Sequence, residues 1–214
     1  MSFLHWILHT LRNPDELIKL SGYPMLILML IIFVETGALI FFLPGDSLLV
    51  TAGLYAARGS LDIWQLNLAL IPMAILGDAL SYTIGKRSGP ALFSRPQSRF
   101  FNPQHLRSAH AFYEKHGGKT IIIARFMPIF RTFVPVVAGA AQMPYARFAL
   151  YNIVGGASWV SSMTLLGYLL ANWAERHNFP IDKHIEKLII LVVFLSVLPG
   201  ILAFLRQKFG KRPA

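Results

Sequence analysis

Residues 23–55 form one long apolar run that holds Glu35, Asp46 and a Pro44-Gly45 break. No other feature restricts the fold more. At ~1.5 Å per residue, a helix crosses the hydrocarbon core of a bilayer in about 20 residues. The run is too long for one crossing and too interrupted for two ordinary ones. Pro44 removes a backbone donor and clashes with the preceding turn, so the helix stops there. A helical hairpin over 23–57 that dips into the membrane and returns is the expected form; a full span up to Leu43 is the alternative. Composition agrees. The chain is 55% hydrophobic and 14% charged, against about 25% charged in a soluble domain. That leaves too little polar side chain to cover a water-facing surface. A cytosolic enzyme, a disordered chain and a coiled coil are disfavoured, and residues 1–214 are expected to form a single membrane domain.

The rest of the chain repeats the theme. Residues 64–84 have the length of a true span, with Asp78 and Tyr82 near its end and Lys86 and Arg87 stopping it. Residues 86–119 are strongly basic; within them Asn102-Pro103 opens and Gly117-Gly118 closes a short amphipathic helix over 103–116. Residues 119–142 are apolar but carry Arg125, Pro128, Arg131 and Pro135. Two prolines and two arginines disqualify a lipid-facing span, so a second dipping hairpin is expected. Residues 147–172 and 186–205 read as ordinary spans, and 206–214 as a basic tail. The expected fold is an all-α integral membrane protein. It has two opposed re-entrant hairpins in an inverted repeat, about three full transmembrane helices and short amphipathic interfacial helices.

The repeat is read from matching marks. Asn13-Pro14 and Asn102-Pro103 each open a short amphipathic stretch. Each is followed by a proline-broken run ending in Ala-Gly, at Ala52-Gly53 and Ala138-Gly139, and then by a glycine-containing span. Repeat 1 is thus 1–85 and repeat 2 is 86–173. Opposed broken helices in weak repeats point to a transport site at mid-depth.

Twenty Lys and Arg against 10 Asp and Glu give a formal charge of +10. With the aromatics in apolar runs rather than among the basic residues, this excess reads as positive-inside bias and not as nucleic-acid binding. Residues 86–119 and the tail are placed in the cytoplasm on that count; the side of the N-terminus stays open. There are 0 cysteines, so disulfides, thiolate metal sites and a Cys nucleophile are excluded.

Glu35, Asp46, Arg125 and Arg131 fall inside membrane-depth segments. Each costs about 2.5–3.5 kcal/mol at the bilayer centre, so the four must pair, neutralise or face water. Two acids on one hairpin and two arginines on the other suggest that they meet. A purely structural ion-pair clamp is the weaker reading, because a buried pair stabilises poorly compared with apolar packing. Arginine also suits bidentate contact with phosphate, and the carboxylates can compete for the arginines and carry protons. Asp78 reads either as a group that snorkels to water or as a gate or proton relay.

Several other signals are weak. Gly118-Lys119-Thr120 looks like the end of a P-loop, but Tyr113 stands where its first glycine belongs. Gly156-Ala157-Ser158 is followed by Trp159 rather than glycine, against an intramembrane serine protease. His105, His110 and His116 scatter around their helix, and Trp64, Trp159 and Trp173 read as interface or packing aromatics. No cofactor is expected.

Glu35 with Phe42-Leu43-Pro44-Gly45-Asp46-Ser47-Leu48-Leu49 resembles the DedA family. So do Gly77-Asp78-Ala79-Leu80-Ser81-Tyr82-Thr83-Ile84-Gly85, Tyr113-Glu114-Lys115-His116-Gly117-Gly118-Lys119-Thr120, Arg125-Phe126-Met127-Pro128 and Arg131-Thr132-Phe133-Val134-Pro135. The resemblance covers nearly the whole chain. It implies a bacterial inner-membrane protein related to the VTT-domain scramblases, with two facing re-entrant hairpins. The implied activity is lipid translocation that depends on the proton motive force, with undecaprenyl phosphate or phospholipid as cargo and a role in envelope homeostasis.

The family's acidic pair maps onto Glu35 and Asp46, and its arginine pair onto Arg125 and Arg131. The expected assignment is therefore phosphate binding by Arg125 and Arg131, and gating or proton coupling by Glu35, Asp46 and Asp78. Pro44, Gly45, Pro128, Pro135, Gly139 and Tyr82 are expected as hairpin breaks and supports. The expected partners are membrane lipids and protons, and homo-oligomerisation stays open. A glycerophospholipid scramblase, a non-transporting scaffold and a lipid-modifying enzyme are the alternatives, the last disfavoured for want of a His nucleophile or metal cluster.

Overall fold

A computed structural model describes residues 24–38, 45–92 and 118–177, with side chains at 90–92, 128 and 129 excepted. The amphipathic helix over 103–116, the span over 186–205, the tail and Pro44 lie outside the described residues. Within them the chain is helical, with no strand: α1 (Pro24–Gly37), α2 (Gly45–Ala57), α3 (Ile63–Leu92), α4 (Lys119–Ala124), α5 (Pro128–Ala140) and α6 (Tyr145–Arg176).

Local chemistry sets the ends. Asp62 caps α3, its Oδ1 accepting the N–H groups of Trp64 at 2.9 Å and Gln65 at 2.8 Å. Helices α2 and α5 end alike. After α2, Gly59 at φ +77° bonds back to Ala56 and Ser60 to Tyr55; after α5, Gln142 at φ +56° bonds back to Gly139 and Met143 to Ala138. Both are left-handed caps with crossed 6→1 and 5→2 bonds. Between α4 and α5, the N–H groups of Arg125, Phe126 and Met127 each reach back three residues, to Ile122, Ile123 and Ala124. This tightened turn stops before Pro128, which disfavours helical geometry in the residue ahead of it and then opens α5.

Three boundaries differ from expectation. Helix α3 does not stop at Lys86 and Arg87 but runs on to Leu92, because both side chains are exposed and leave the backbone free to continue. Helix α6 spans Tyr145–Arg176, longer at both ends than 147–172. Pro135 is not a break: it lies inside α5, where it forfeits one ladder bond without ending the helix.

The segments Ile63–Gly89 and Tyr145–Arg176 are long and apolar enough to cross a membrane. The 14 and 13 residues of α1 and α2 give only ~20 Å each, short of a ~30 Å core. Polarity is inverted relative to a water-soluble protein. Leu26, Leu30, Leu68, Leu150 and Leu169 are more than half exposed, whereas Glu35, Asp46, Asp78, Arg125 and Arg131 are buried. That arrangement suits a lipid solvent.

The helices pack crosswise. Helix α2 lies against α6, and α5 against α3, while α1 sits on α3 and α4 on α6. Glycines make the two main crossings. A Cβ on Gly53 would stand 2.0 Å from the Thr164 carbonyl oxygen, and one on Gly167 1.9 Å from that of Val50. At the other crossing, Gly85 faces the Val136 carbonyl and Gly139 that of Tyr82, each leaving 2.0 Å for a Cβ. No side chain fits at any of the four positions, so backbone meets backbone. Tyr82 adds to the second crossing: its hydroxyl donates to the Met143 carbonyl and its ring stacks on Phe148 at 4.5 Å.

Candidate functional site

Among the described residues, the five buried charges form two centres. In the first, Arg131 of α5 donates one Nη to Glu35 of α1 and the other to Asp46 Oδ1 of α2 at 2.5 Å. Gly45 makes this possible, since a Cβ there would lie 2.0 Å from Glu35 Oε2. The start of α2 also places Asp46 in the first turn, where its charge meets the positive end of the helix dipole. Trp159 of α6 closes the centre. Its indole N–H donates to Asp46 Oδ1 at 2.8 Å, and its ring lies 4.9 Å from the Arg131 guanidinium carbon.

In the second centre, Arg125 projects from the turn after α4. Its Nη2 pairs with Asp78 Oδ2 of α3 at 2.5 Å and donates to Asn152 Oδ1 of α6, with the Ala74 carbonyl at 3.4 Å. Asn152 Nδ2 in turn donates to the Ile75 carbonyl at 3.0 Å. Gly156 packs beside the guanidinium, whose Nη2 lies 3.4 Å from where its Cβ would be. The structure thus divides the expected four-charge cluster. Arg131 holds both Glu35 and Asp46, and Arg125 holds Asp78 instead. Asp78 does not reach water: it is 2% exposed, because α3 turns it inward toward Arg125.

Three carboxyls face two guanidiniums across the two centres. Fully ionised, the set carries one net negative charge, and a single proton makes it neutral. Among the described residues, the Nε–H of each arginine is buried without a hydrogen-bond partner. Such a donor is costly to leave unmet, and it suits an additional acceptor oxygen such as one from phosphate.

Two participants escape a reading of the sequence. Asn152 is one of two amides in the apolar stretch 147–172, and the other, Asn172, lies at its very end; an amide deep in the run was the signal. Trp159 has no signal, since nothing local separates it from Trp64 and Trp173. Those two are 81% and 53% exposed, as interface aromatics are, whereas Trp159 is 0% exposed. Ser158 donates back to the Val154 carbonyl of its own helix at 2.7 Å. Pro128, Gly139 and Tyr82 act as supports of α5 and its crossing with α3, not as members of either centre.

Comparison with known proteins gives the family of the chain. The VTT domain matches residues 43–169, a stretch that holds every residue of the two centres except Glu35. Protein DedA of Escherichia coli (strain K12) is 42% identical over 209 residues, 96% of this chain and 93% of that protein. Inner membrane protein YqjA of the same organism is 34% identical over 207 residues, 95% and 92% of the two chains. An uncharacterized membrane protein of Mycobacterium leprae (strain TN) is 46% identical over 175 residues, 82% of this chain and 77% of that one. No solved structure matches the chain. A helical membrane protein with this match over most of its length belongs to the VTT-domain family, that of DedA.

Proposed function

We propose that the protein is a lipid translocase and not an enzyme. It moves a phosphate-headgroup lipid, undecaprenyl phosphate first among the candidates, between the leaflets of a bacterial inner membrane. The observation that carries the reading is the Arg131 centre: a guanidinium sealed among apolar helices, held by two carboxylates, with one N–H still to be met. Intramembrane charges of this kind mark transport paths by default.

In this reading α1 with α2, and α4 with α5, are re-entrant hairpins of an inverted repeat, and residues 86–119 and the tail face the cytoplasm. The headgroup enters between the hairpins while its chain stays in lipid. A phosphate takes Arg131 from Glu35 and Asp46, and Arg125 offers a second cation. The released carboxyls are then free to take up a proton, which ties the exchange to the proton motive force. Asp78 holds Arg125 in the empty state and gates it.

The test is reconstitution into liposomes, with labelled undecaprenyl phosphate and phosphatidylethanolamine in parallel at several pH gradients. Faster movement of the first, dependent on the gradient, is expected. Equal rates would overturn the cargo choice in favour of a general phospholipid scramblase. No movement of either would leave the charges as a structural clamp in a scaffold. Arg125→Lys keeps the charge and loses the fork; undiminished transport by that variant would refute bidentate phosphate binding.

A further inference from the structure

Each member of the Arg131 centre except Glu35 sits on one of two interlocked helix pairs. The glycine crossings Gly53–Thr164 and Gly167–Val50 lock α2 to α6, and Gly85–Val136 and Gly139–Tyr82 lock α5 to α3. Asp46 and Trp159 therefore belong to one pair, and Arg131 to the other. Glu35 goes with Arg131, since α1 packs on α3. The Arg131–Asp46 bond is a joint between the pairs, whereas the Trp159–Asp46 bond lies within one. Asp46 Oδ1 accepts from both, at 2.5 Å from Arg131 Nη1 and 2.8 Å from Trp159 Nε1.

We infer that Trp159 is a positioning residue of the lipid exchange: its N–H keeps hold of Asp46 while Arg131 leaves that carboxylate for a phosphate oxygen. The inference rests on the translocase reading. When the joint opens, a buried carboxylate with no donor is strongly disfavoured. The indole N–H supplies one donor that does not move away, since Trp159 and Asp46 are carried by helices whose backbones touch. Asp46 then has one partner on its own pair and one across the joint, so its exchange runs between two held states rather than between a held and a naked one. Trp159 also screens the site, its ring covering the guanidinium from the α6 side. The halves that part are, on this argument, α2 with α6 and α3 with α5, not the two repeats in sequence, and the Arg125–Asp78 and Asn152–Ile75 bonds between the halves open with them.

Two measurements test this on the full-length protein in phosphatidylcholine vesicles containing undecaprenyl phosphate. Trp159→Phe keeps an aromatic ring, smaller than the indole, and drops the N–H. The state with Arg131 released is then rarer, and apparent affinity falls by the same fraction. The half-saturating lipid fraction should rise about tenfold with the maximal rate within about twofold. An unchanged half-saturation, or a fall confined to the maximal rate, would overturn the inference. Should Trp159→Phe not fold, a protein with Trp6, Trp64 and Trp173 replaced by Phe reports Trp159 directly. Its emission should change saturably with the phosphate lipid and stay constant in Arg131→Gln; no change on adding lipid would overturn the proposal.

The second measurement uses the natural absence of cysteine, 0 in the chain. A Cβ on Gly89 would lie 2.6 Å from that of Ala140, so Gly89→Cys with Ala140→Cys needs only ~1 Å of separation to form a disulfide joining α3 to α5. The oxidised protein should move lipid within about twofold of the reduced one. If oxidation stops transport and reduction restores it, the moving bodies are the sequence repeats and the inference fails. If the reduced and wild-type proteins move no lipid at all, the translocase reading itself is overturned, and this one with it.

Discussion

The division of charges into two centres makes a quantitative demand that is independent of any transport assay. Asp78→Asn removes the carboxylate beside Arg125 and keeps its shape. Arg125 is 2% exposed and retains only Asn152 and the distant Ala74 carbonyl. Removing one partner of a buried ion pair costs ~3–5 kcal/mol, mostly because the other charge is left uncompensated. The two remaining neutral acceptors put this site at the low end, ~3 kcal/mol. Arg125→Gln strands Asp78 in the same way and should cost about as much. The double variant strands neither charge, so it should be more stable than either single variant, with a coupling of ~2–3 kcal/mol. Asp78→Asn combined with Arg131→Gln should show a smaller coupling than Asp78 with Arg125, because Asp78 contacts Arg125 and not Arg131. The assay is equilibrium unfolding in mixed detergent micelles, read by helical circular dichroism across the four proteins of each cycle. The reasoning is refuted if Asp78 couples to Arg131 more strongly than to Arg125, or if the Asp78–Arg125 coupling falls below ~0.5 kcal/mol.

Other expectations follow from the same geometry. Gly139→Ala and Gly53→Ala each place a Cβ about 2.0 Å from a backbone oxygen, so the helices must part; each should lose ~1–3 kcal/mol in the same unfolding assay, and a neutral result would refute the close crossings. Asp62→Ala removes the two cap bonds of α3 and should cost ~1 kcal/mol, with lipid movement in liposomes unchanged because the cap lies apart from both centres. Arg131→Lys cannot reach Glu35 and Asp46 at once with a single ammonium, and initial rates of lipid movement should fall at least about tenfold. Tyr82→Phe keeps the stack on Phe148 but leaves the Met143 carbonyl without its donor, for ~1 kcal/mol in thermal unfolding.

Much of this molecule is written in local signals. The apolar runs coincide with the helices found, whereas the cap at Asp62, the left-handed stop at Gly59 and the helix start at Pro128, which the sequence reading did not single out or took as a break, also act within a few residues. The Ala-Gly pairs at Ala52-Gly53 and Ala138-Gly139, read from the sequence as marks of a repeat, stand at the close crossings, because a bare Cα in an apolar helix suits backbone contact. Local rules also mislead. Pro135 has every mark of a break, yet the α3 crossing holds α5 together around it.

From the sequence alone it follows that Glu35, Asp46, Arg125 and Arg131 must find partners, since charge inside an apolar run is too costly to leave bare. Which partner each one takes does not follow. Arg131 meets Glu35 and Asp46 across 96 and 85 residues of chain, and Asp78, Asn152 and Trp159 join only where α3 and α6 cross the short helices. Hydrophobic burial is non-directional and specifies that these faces go inside; the approach of particular glycines to particular carbonyls decides which charged side chain arrives opposite which.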